Sequence, residues 1–317
     1  MPAIIASAPG KIILFGEHAV VYGQPAIAVP VDQVRAKAIV NAELRGEAGS
    51  VHIRAKDISL DGFLADLPLE QPLAMAVRMT LDALGISIPP AFSLSITSTI
   101  PVAAGLGSGA AVSIAAIRAV SAFLGHPLPD EKVSDLAFEV EKLHHGTPSG
   151  IDNTVIAYSK PVYFARGFPI ETFQVPSPFT IVIGDTGVAS PTAQVVGDLR
   201  LAWQANAAHY EPIFDAVGRI ARAARQAIEG GEPDLLGPLM DENQQLLIEM
   251  GVSSQKLDYL VNTARSAGAL GAKLSGGGRG GNMIALARSQ EAKAIADVLA
   301  TAGATRTIIT TAGQFYD

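Results

Sequence analysis

The chain has no cysteine, which excludes disulfides and thiolate metal sites and leaves the compartment open. It has no basic excess. Its formal charge is −7 and its pI about 5.4, which argues against a nucleic-acid surface. No apolar run approaches the roughly 18 residues of a membrane span. The N-terminus lacks a basic region followed by an apolar core and a cleavage site, so no signal peptide is expected and the cytoplasm is the default. There is no fixed-period repeat and no low-complexity segment. What remains is a 317-residue chain, 49% hydrophobic with a mean hydropathy of +0.31, long enough for a large core and two domains. The texture loosens around Pro169, Pro176 and Pro178, which places the expected division at 1–168 and 169–317.

The run Pro101 to Ser113 (PVAAGLGSGAAVS) organises the rest. Leu94 to Ile100 alternates and is β-branched, which predicts a strand. Ala110 to Leu124 is Ala-rich with helical spacing, which predicts a helix. A glycine-rich turn therefore joins a strand to a helix N-terminus. Glycines let the backbone approach a ligand, and the helix start adds unpaired donors and the positive dipole end. That makes an anion cradle suited to phosphate, or else a tight turn packed with small residues. No Gly-Lys-Ser/Thr follows, so it is not a Walker A loop.

Further stretches weigh on that choice. In Pro9 to Gly23 (PGKIILFGEHAVVYG), Lys11, Glu17 and His18 sit among apolar residues and glycines. Charged groups in such a setting need partners, and such places are often functional. Residues 33–60 alternate as antiparallel strands with one wet face, with His52 exposed and idle. Residues 131–144 form a helix with Val133, Leu136, Ala137, Val140 and Leu143 on one stripe and Glu131, Glu139 and Glu141 mostly off it. A dense turn at 145–153 carries Asp152, either an Asx-turn residue or a base for an attacking hydroxyl, before a strand-like run at 154–158. Phe179 to Gly184 is a strand closed by Asp185-Thr186-Gly187. Helical patterns follow at about 190–230, 232–250 and 253–267, with Arg219, Arg222 and Arg225 on a solvated face. Five of the six positions 276–281 are glycine. Each glycine costs backbone entropy, so the run fits close backbone approach, to a ligand or to the first loop, better than stability. A last helix at 290–302, a strand at 306–311 and a frayed tail at 314–317 complete the chain.

Three separated motifs, Pro9 to Gly23, Pro101 to Ser113 and Lys273 to Leu286, together with the segment at 145–153, resemble the GHMP kinase superfamily in the order of its motifs. Within it they are most similar to the branch that phosphorylates mevalonate. Galactokinase-like members follow Glu-His with Thr-Asp, whereas Ala19-Val20 follow here. The resemblance implies a two-domain α+β fold with ATP and substrate in the interdomain cleft. It implies phosphorylation of the primary hydroxyl of mevalonate with Mg²⁺, a step of isoprenoid precursor synthesis, and a frequent homodimer. Asp152 would be the catalytic aspartate and Lys11 its partner. Pro101, Ala104, Gly105, Leu106, Gly107, Ser108, Gly109 and Ala110 would bind ATP. Glu141 and Ser108 would hold the metal, and Glu17, His18, Thr186, Gly276 and Gly277 would serve the substrate. Another small-alcohol kinase of the superfamily (phosphomevalonate, mevalonate 3-position or sugar kinase) and a non-catalytic binding relative stay open. Two departures stand out. The family's loop commonly reads Gly-Leu-Gly-Ser-Ser-Ala, its second serine being a metal ligand, and here that position is Gly109. The third motif usually reads Gly-Ala-Gly-Gly-Gly-Gly, and here Arg279 interrupts it, to contact a phosphate, an acidic residue or solvent.

Overall fold

The computed structural model describes residues 3–101, 104–145 and 149–313. Loop positions 102–103, the corner at 146–148 and the tail at 314–317 lie outside the described residues. In chain order the elements are β1 (Ile4–Phe15), β2 (Ala26–Ala42), β3 (Val51–Ala55), β4 (Leu60–Phe63), α1 (Pro72–Ala83), β5 (Phe92–Ser98), α2 (Ser108–Phe123), α3 (Asp130–His145) and α4 (Ile151–Tyr158). They continue with β6 (Val162–Phe164), β7 (Glu171–Thr172), β8 (Phe179–Asp185), α5 (Thr192–Ala205), α6 (Ala207–Glu229), α7 (Leu236–Glu249), α8 (Gln255–Ser266), β9 (Gly271–Ser275), β10 (Asn282–Ala287), α9 (Ala292–Thr301) and β11 (Arg306–Ala312). The chain divides into two units, one of Met1–Gly10, Val34–Pro101 and Gly107–Ser159, the other of Lys11–Gln33, Val102–Leu106 and Lys160–Asp317.

In the first unit β5 lies between β2 and β3, antiparallel to β2 and parallel to β3, and β4 closes the edge beside β3. The alternation along residues 34–42 buries Val34, Ala36, Ala38 and Val40 and leaves the intervening side chains wetter, as a one-sided sheet requires. Helices α1, α2, α3 and α4 pack among themselves. α2 buries Ala110, Ala111, Ala115, Ala116 and Ala119, small residues that let its neighbours come close. The strand expected at 154–158 is the helix α4. Side-chain bonds hold it as a helix: Thr154 Oγ1 donates to Gly150 O one turn back (2.8 Å), and Asn153 Nδ2 donates to Ser134 Oγ on α3 (2.9 Å). His52 is not idle either, since its Nε2 lies 2.6 Å from Asp61 Oδ1 and its ring stacks on Phe63.

In the second unit β11, β8, β10 and β9 form an antiparallel sheet in that order. Its core joins Val182, Leu274, Met283 and Ala285 of the sheet to Val217 of α6, Leu247 of α7, Leu260 of α8 and Leu299 of α9. The outer edge of β9 is closed by side chains instead of another strand. The Ala272 and Leu274 amides donate to Asp241 Oδ1 (3.0 Å) and Gln244 Oε1 (2.8 Å) on α7, and Arg265 Nη2 donates to Ala272 O (2.7 Å). An open edge would invite pairing with another chain. Arg225 departs from the solvated-face expectation. Its guanidinium lies over the Tyr163 ring (4.5 Å) and pairs with Glu171 and Glu229.

Candidate active site

The first motif turns on His18. At φ +60° and ψ −50° it centres a γ-turn, in which the Ala19 amide donates to Glu17 O (2.6 Å). A side-chain residue held in such a sparsely populated region is strained and needs support from its surroundings. The support comes from the third motif, in the same unit. Lys273 Nζ donates to the Glu17 carboxylate, with both side chains fully buried, and also to Leu274 O (2.6 Å). His18 Nε2 lies 3.1 Å from Gly277 O. Ser275 Oγ donates to Ile13 O (2.7 Å). A carbonyl only accepts, so in the neutral ring Nε2 carries the hydrogen and Nδ1 keeps the lone pair.

Burial sets the electrostatics here. It raises the Glu17 carboxyl above its ordinary value and lowers the Lys273 ammonium below its own, while each partner opposes the other's shift. Glu17 Oε2 is buried with no hydrogen-bond partner among the described residues. Burial also lowers His18 to about 4, opposed by the Gly277 carbonyl and reinforced by the Arg279 and Lys273 charges. His18 is therefore neutral at pH 7.

The loop at 276–281 is locked to the segment after β8. Thr186 is fully buried, and its Oγ1 and amide both donate to Gly281 O (2.7 and 2.9 Å). Ser190 Oγ donates to Gly278 O (2.8 Å). At Gly277, Gly278 and Gly280 no room is left for a side chain. A Cβ on Gly277 would sit 2.2 Å from Thr192 Oγ1, and one on Gly280 would sit 2.6 Å from Val188 O. Arg279 meets an acidic residue, Asp198 on α5. The segment before α2 is met from both motifs: Asn282 Nδ2, just after the loop, donates to Ala104 O, and the buried Lys11 donates its amide to Leu106 O (3.0 Å).

The glycine-bearing turn at 104–107 leads into α2. Gly105 and Gly107 take φ of +76° and +73°, the left-handed region that glycine enters at little cost. Gly107 is the N-cap and offers no side-chain cap, so the first amides of α2 keep their donors for another partner. Ser108 and Gly109 form the first turn, with Ala110 buried behind them, and Pro101 is partly buried at the loop's start. α3 packs on α2 and brings the buried Glu141 to this turn. A Cβ on Gly109 would lie 3.1 Å from Glu141 Oε1. Among the described residues no cluster of three or more His, Asp or Glu side chains stands ready for a metal. One carboxylate and the neighbouring Ser108 hydroxyl suit Mg²⁺, which takes few protein oxygens and keeps waters and substrate phosphates. Asp152 lies in the first turn of α4 behind Gly150, which takes φ +85° as N-cap. It belongs to the same unit as Glu141, whereas Lys11 belongs to the other.

Sequence reasoning found both charged halves of the first motif but not the partner of Glu17. The signal was Lys273 itself, a lysine inside the apolar stretch Gly271 to Ser275.

Among the described residues no helix is long and apolar enough to cross a membrane. Residues 72–160 match the GHMP kinases N terminal domain and residues 224–305 the GHMP kinases C terminal domain. The mevalonate kinase of Thermococcus sibiricus is 39% identical over 95% of this chain and 93% of its own. That of Pyrococcus horikoshii is 37% identical over 95% and 93%. Among solved structures, the L. major mevalonate kinase in complex with R-mevalonate superposes with a TM-score of 0.82 at 31% identity, covering 98% of this chain and 96% of that one. The Methanococcus jannaschii mevalonate kinase gives 0.83 at 26% identity, covering 98% of each.

Proposed function

The chain belongs to the GHMP kinase family, and from that premise we propose that it transfers the γ-phosphoryl group of ATP to the primary hydroxyl of mevalonate. The observation that carries the reaction class is the meeting of Gly109 and Glu141. A buried carboxylate stands beside the open start of α2, where phosphate is favoured, so charges of both signs can be accommodated in one small volume. The acceptor is supported by the full-length relatives.

Phosphoryl transfer asks mainly for positioning and charge stabilisation. The backbone from Ala104 to Ala110, entered at Pro101, binds the ATP phosphates. Glu141 and Ser108 would hold Mg²⁺, which would supply positive charge against the phosphates. Asp152 takes the proton of the substrate hydroxyl as the new O–P bond forms and the bond from the γ-phosphorus to the leaving ADP oxygen breaks. Lys11 stabilises negative charge as it develops on the attacking oxygen. His18 and the backbone at Gly276 and Gly277 hold the substrate. Glu17 and Thr186 serve the same end from behind, Glu17 by fixing its neighbour and Thr186 by fixing Gly281.

The test is ADP release from Mg-ATP with mevalonate, phosphomevalonate, homoserine and galactose. Mevalonate alone should give full turnover. Asp152→Asn should lower kcat by about 10²–10⁴-fold with ATP binding kept, as removal of a general base does. Near-normal turnover in that variant would remove Asp152 from the mechanism. Preference for another acceptor would replace mevalonate.

A further inference from the structure

Arg279 stands where a glycine would cost less. It takes φ +54°, in the left-handed region that side chains disfavour, and its neighbours at 276, 277, 278, 280 and 281 are all glycine. An outlier of this kind points to something its side chain does. The Arg279 amide donates to Val252 O (2.9 Å), which fixes the backbone against the turn between α7 and α8. Its Nε donates to Gly251 O (3.4 Å), and its Nη1 donates to Asp198 on α5. The guanidinium is thus a strut between loop and helix.

What the strut holds lies on either side of it. Two residues before, Gly277 O meets the His18 ring; two residues after, Gly281 O takes both donors of Thr186. The side chains of the ion pair are 36% and 45% exposed, so its contribution to overall stability is small. A strained backbone and a weakly stabilising pair do not explain each other through stability. They do if the position of the loop is what matters.

We propose that Arg279 and Asp198 are a positioning pair, which sets substrate affinity by holding the 276–281 loop against His18 and Thr186. This rests on the reading that His18 and the loop hold mevalonate. Neither residue touches the reacting atoms, so the effect falls on KM for the acceptor and not on kcat.

Three variants test it: Arg279→Gly, Asp198→Asn and the exchanged pair Arg279→Asp with Asp198→Arg. Each single variant should raise the mevalonate KM about threefold to fivefold, the size expected of a partly exposed ion pair, with kcat within about twofold. Amide exchange of residues 276–281 should quicken in both. The exchanged pair should recover most of the lost affinity, because aspartate tolerates a positive φ and the charges meet again. An unchanged mevalonate KM in both single variants overturns the proposal. So does a failure of the exchanged pair to recover, or a rise in ATP KM confined to Arg279→Gly, which would mean direct phosphate contact. If the native enzyme does not phosphorylate mevalonate, the assigned function fails instead. The exchange measurement then still decides the strut, since unaltered exchange in both single variants rejects it.

Discussion

At Gly105, in the loop before α2, an added carbon would meet nothing within 4 Å, whereas at Gly278, in the loop after β9, it would sit 2.0 Å from Val252 O. Both residues take φ of +76°. Backbone conformation alone therefore accounts for glycine in the first loop. In the second, conformation and crowding act together at Gly278, crowding acts by itself at Gly277 and Gly280, and only Gly276, at φ +93°, is as open as Gly105. Open glycines beside a helix start leave donors for a ligand. Crowded glycines let one piece of backbone lie against another and hold a strained histidine in place. The same composition thus serves a receptive loop and a supporting one.

The support can be tested at its base. Lys273→Met leaves Glu17 buried without its cation and should cost about 3–5 kcal/mol, read from urea unfolding. Pairing it with Glu17→Leu should recover much of that loss, because a buried pair can be exchanged for apolar groups more cheaply than it can be halved. A single variant as stable as the native chain would mean that the second loop does not hang on this pair.

Next in size is the pH dependence of the same clamp. His18 has a folded pKa of about 4 against an ordinary value near 6.5. The folded state binds the proton less well than the unfolded chain. Its contribution is complete above about pH 6.5 and is lost as the pH falls toward 4, about 3 kcal/mol in all. Urea unfolding at pH 7 and pH 4.5 should show this loss in the native chain and much less of it in His18→Asn, which also tolerates a positive φ. Equal slopes in the two would assign the acid sensitivity to other groups.

A direct contrast follows. Gly278→Ala should lose about 3 kcal/mol, since the new carbon collides with backbone that cannot turn aside. Gly105→Ala should lose about 1 kcal/mol, the cost of the left-handed conformation alone. The smaller loss should come with a raised KM for ATP. Equal losses would erase the distinction between the loops.

How much of this was legible depended on whether the cause was local. The turn before α2 could be read because glycine, helix spacing and a preceding strand lie side by side in the chain. Lys11, Glu17 and His18 stood out as charges among apolar residues. The bond from Lys273 to Glu17 joins positions 256 apart, and only the lysine's apolar setting hinted at it. The β-branched Thr154, Val155 and Ile156 predict a strand where α4 forms; the bonds from Asn153 and Thr154 that hold it as a helix depend on α3 and on the turn before it. β1 runs through Pro9 and Gly10 to Phe15, although both residues punctuate the sequence there. The Lys11 amide beyond that point finds its partner in Leu106, again far along the chain.

Gly109 is the exception that makes the contrast between the loops precise. It lies in the receptive loop but behaves like a member of the supporting one, because its added carbon would come 3.1 Å from Glu141 Oε1. That is close enough for the carboxylate to shift by a few tenths of an ångström and not close enough to unfold the turn. Gly109→Ser and Gly109→Ala make the same intrusion, and only serine brings an oxygen. Both should stay within about 1 kcal/mol of the native stability, as tolerated substitutions in a helix first turn do. If the position lacks only a donor, serine lowers the Mg²⁺ concentration needed for half-maximal rate and alanine does not. If the room itself is needed, so that the carboxylate can face the metal unhindered, both variants raise that concentration together. The Glu141 contact favours the second outcome for alanine and the first for serine, whose hydroxyl replaces by coordination what its carbon takes in space. Identical behaviour of the two variants would place Gly109 with the crowded glycines of the second loop.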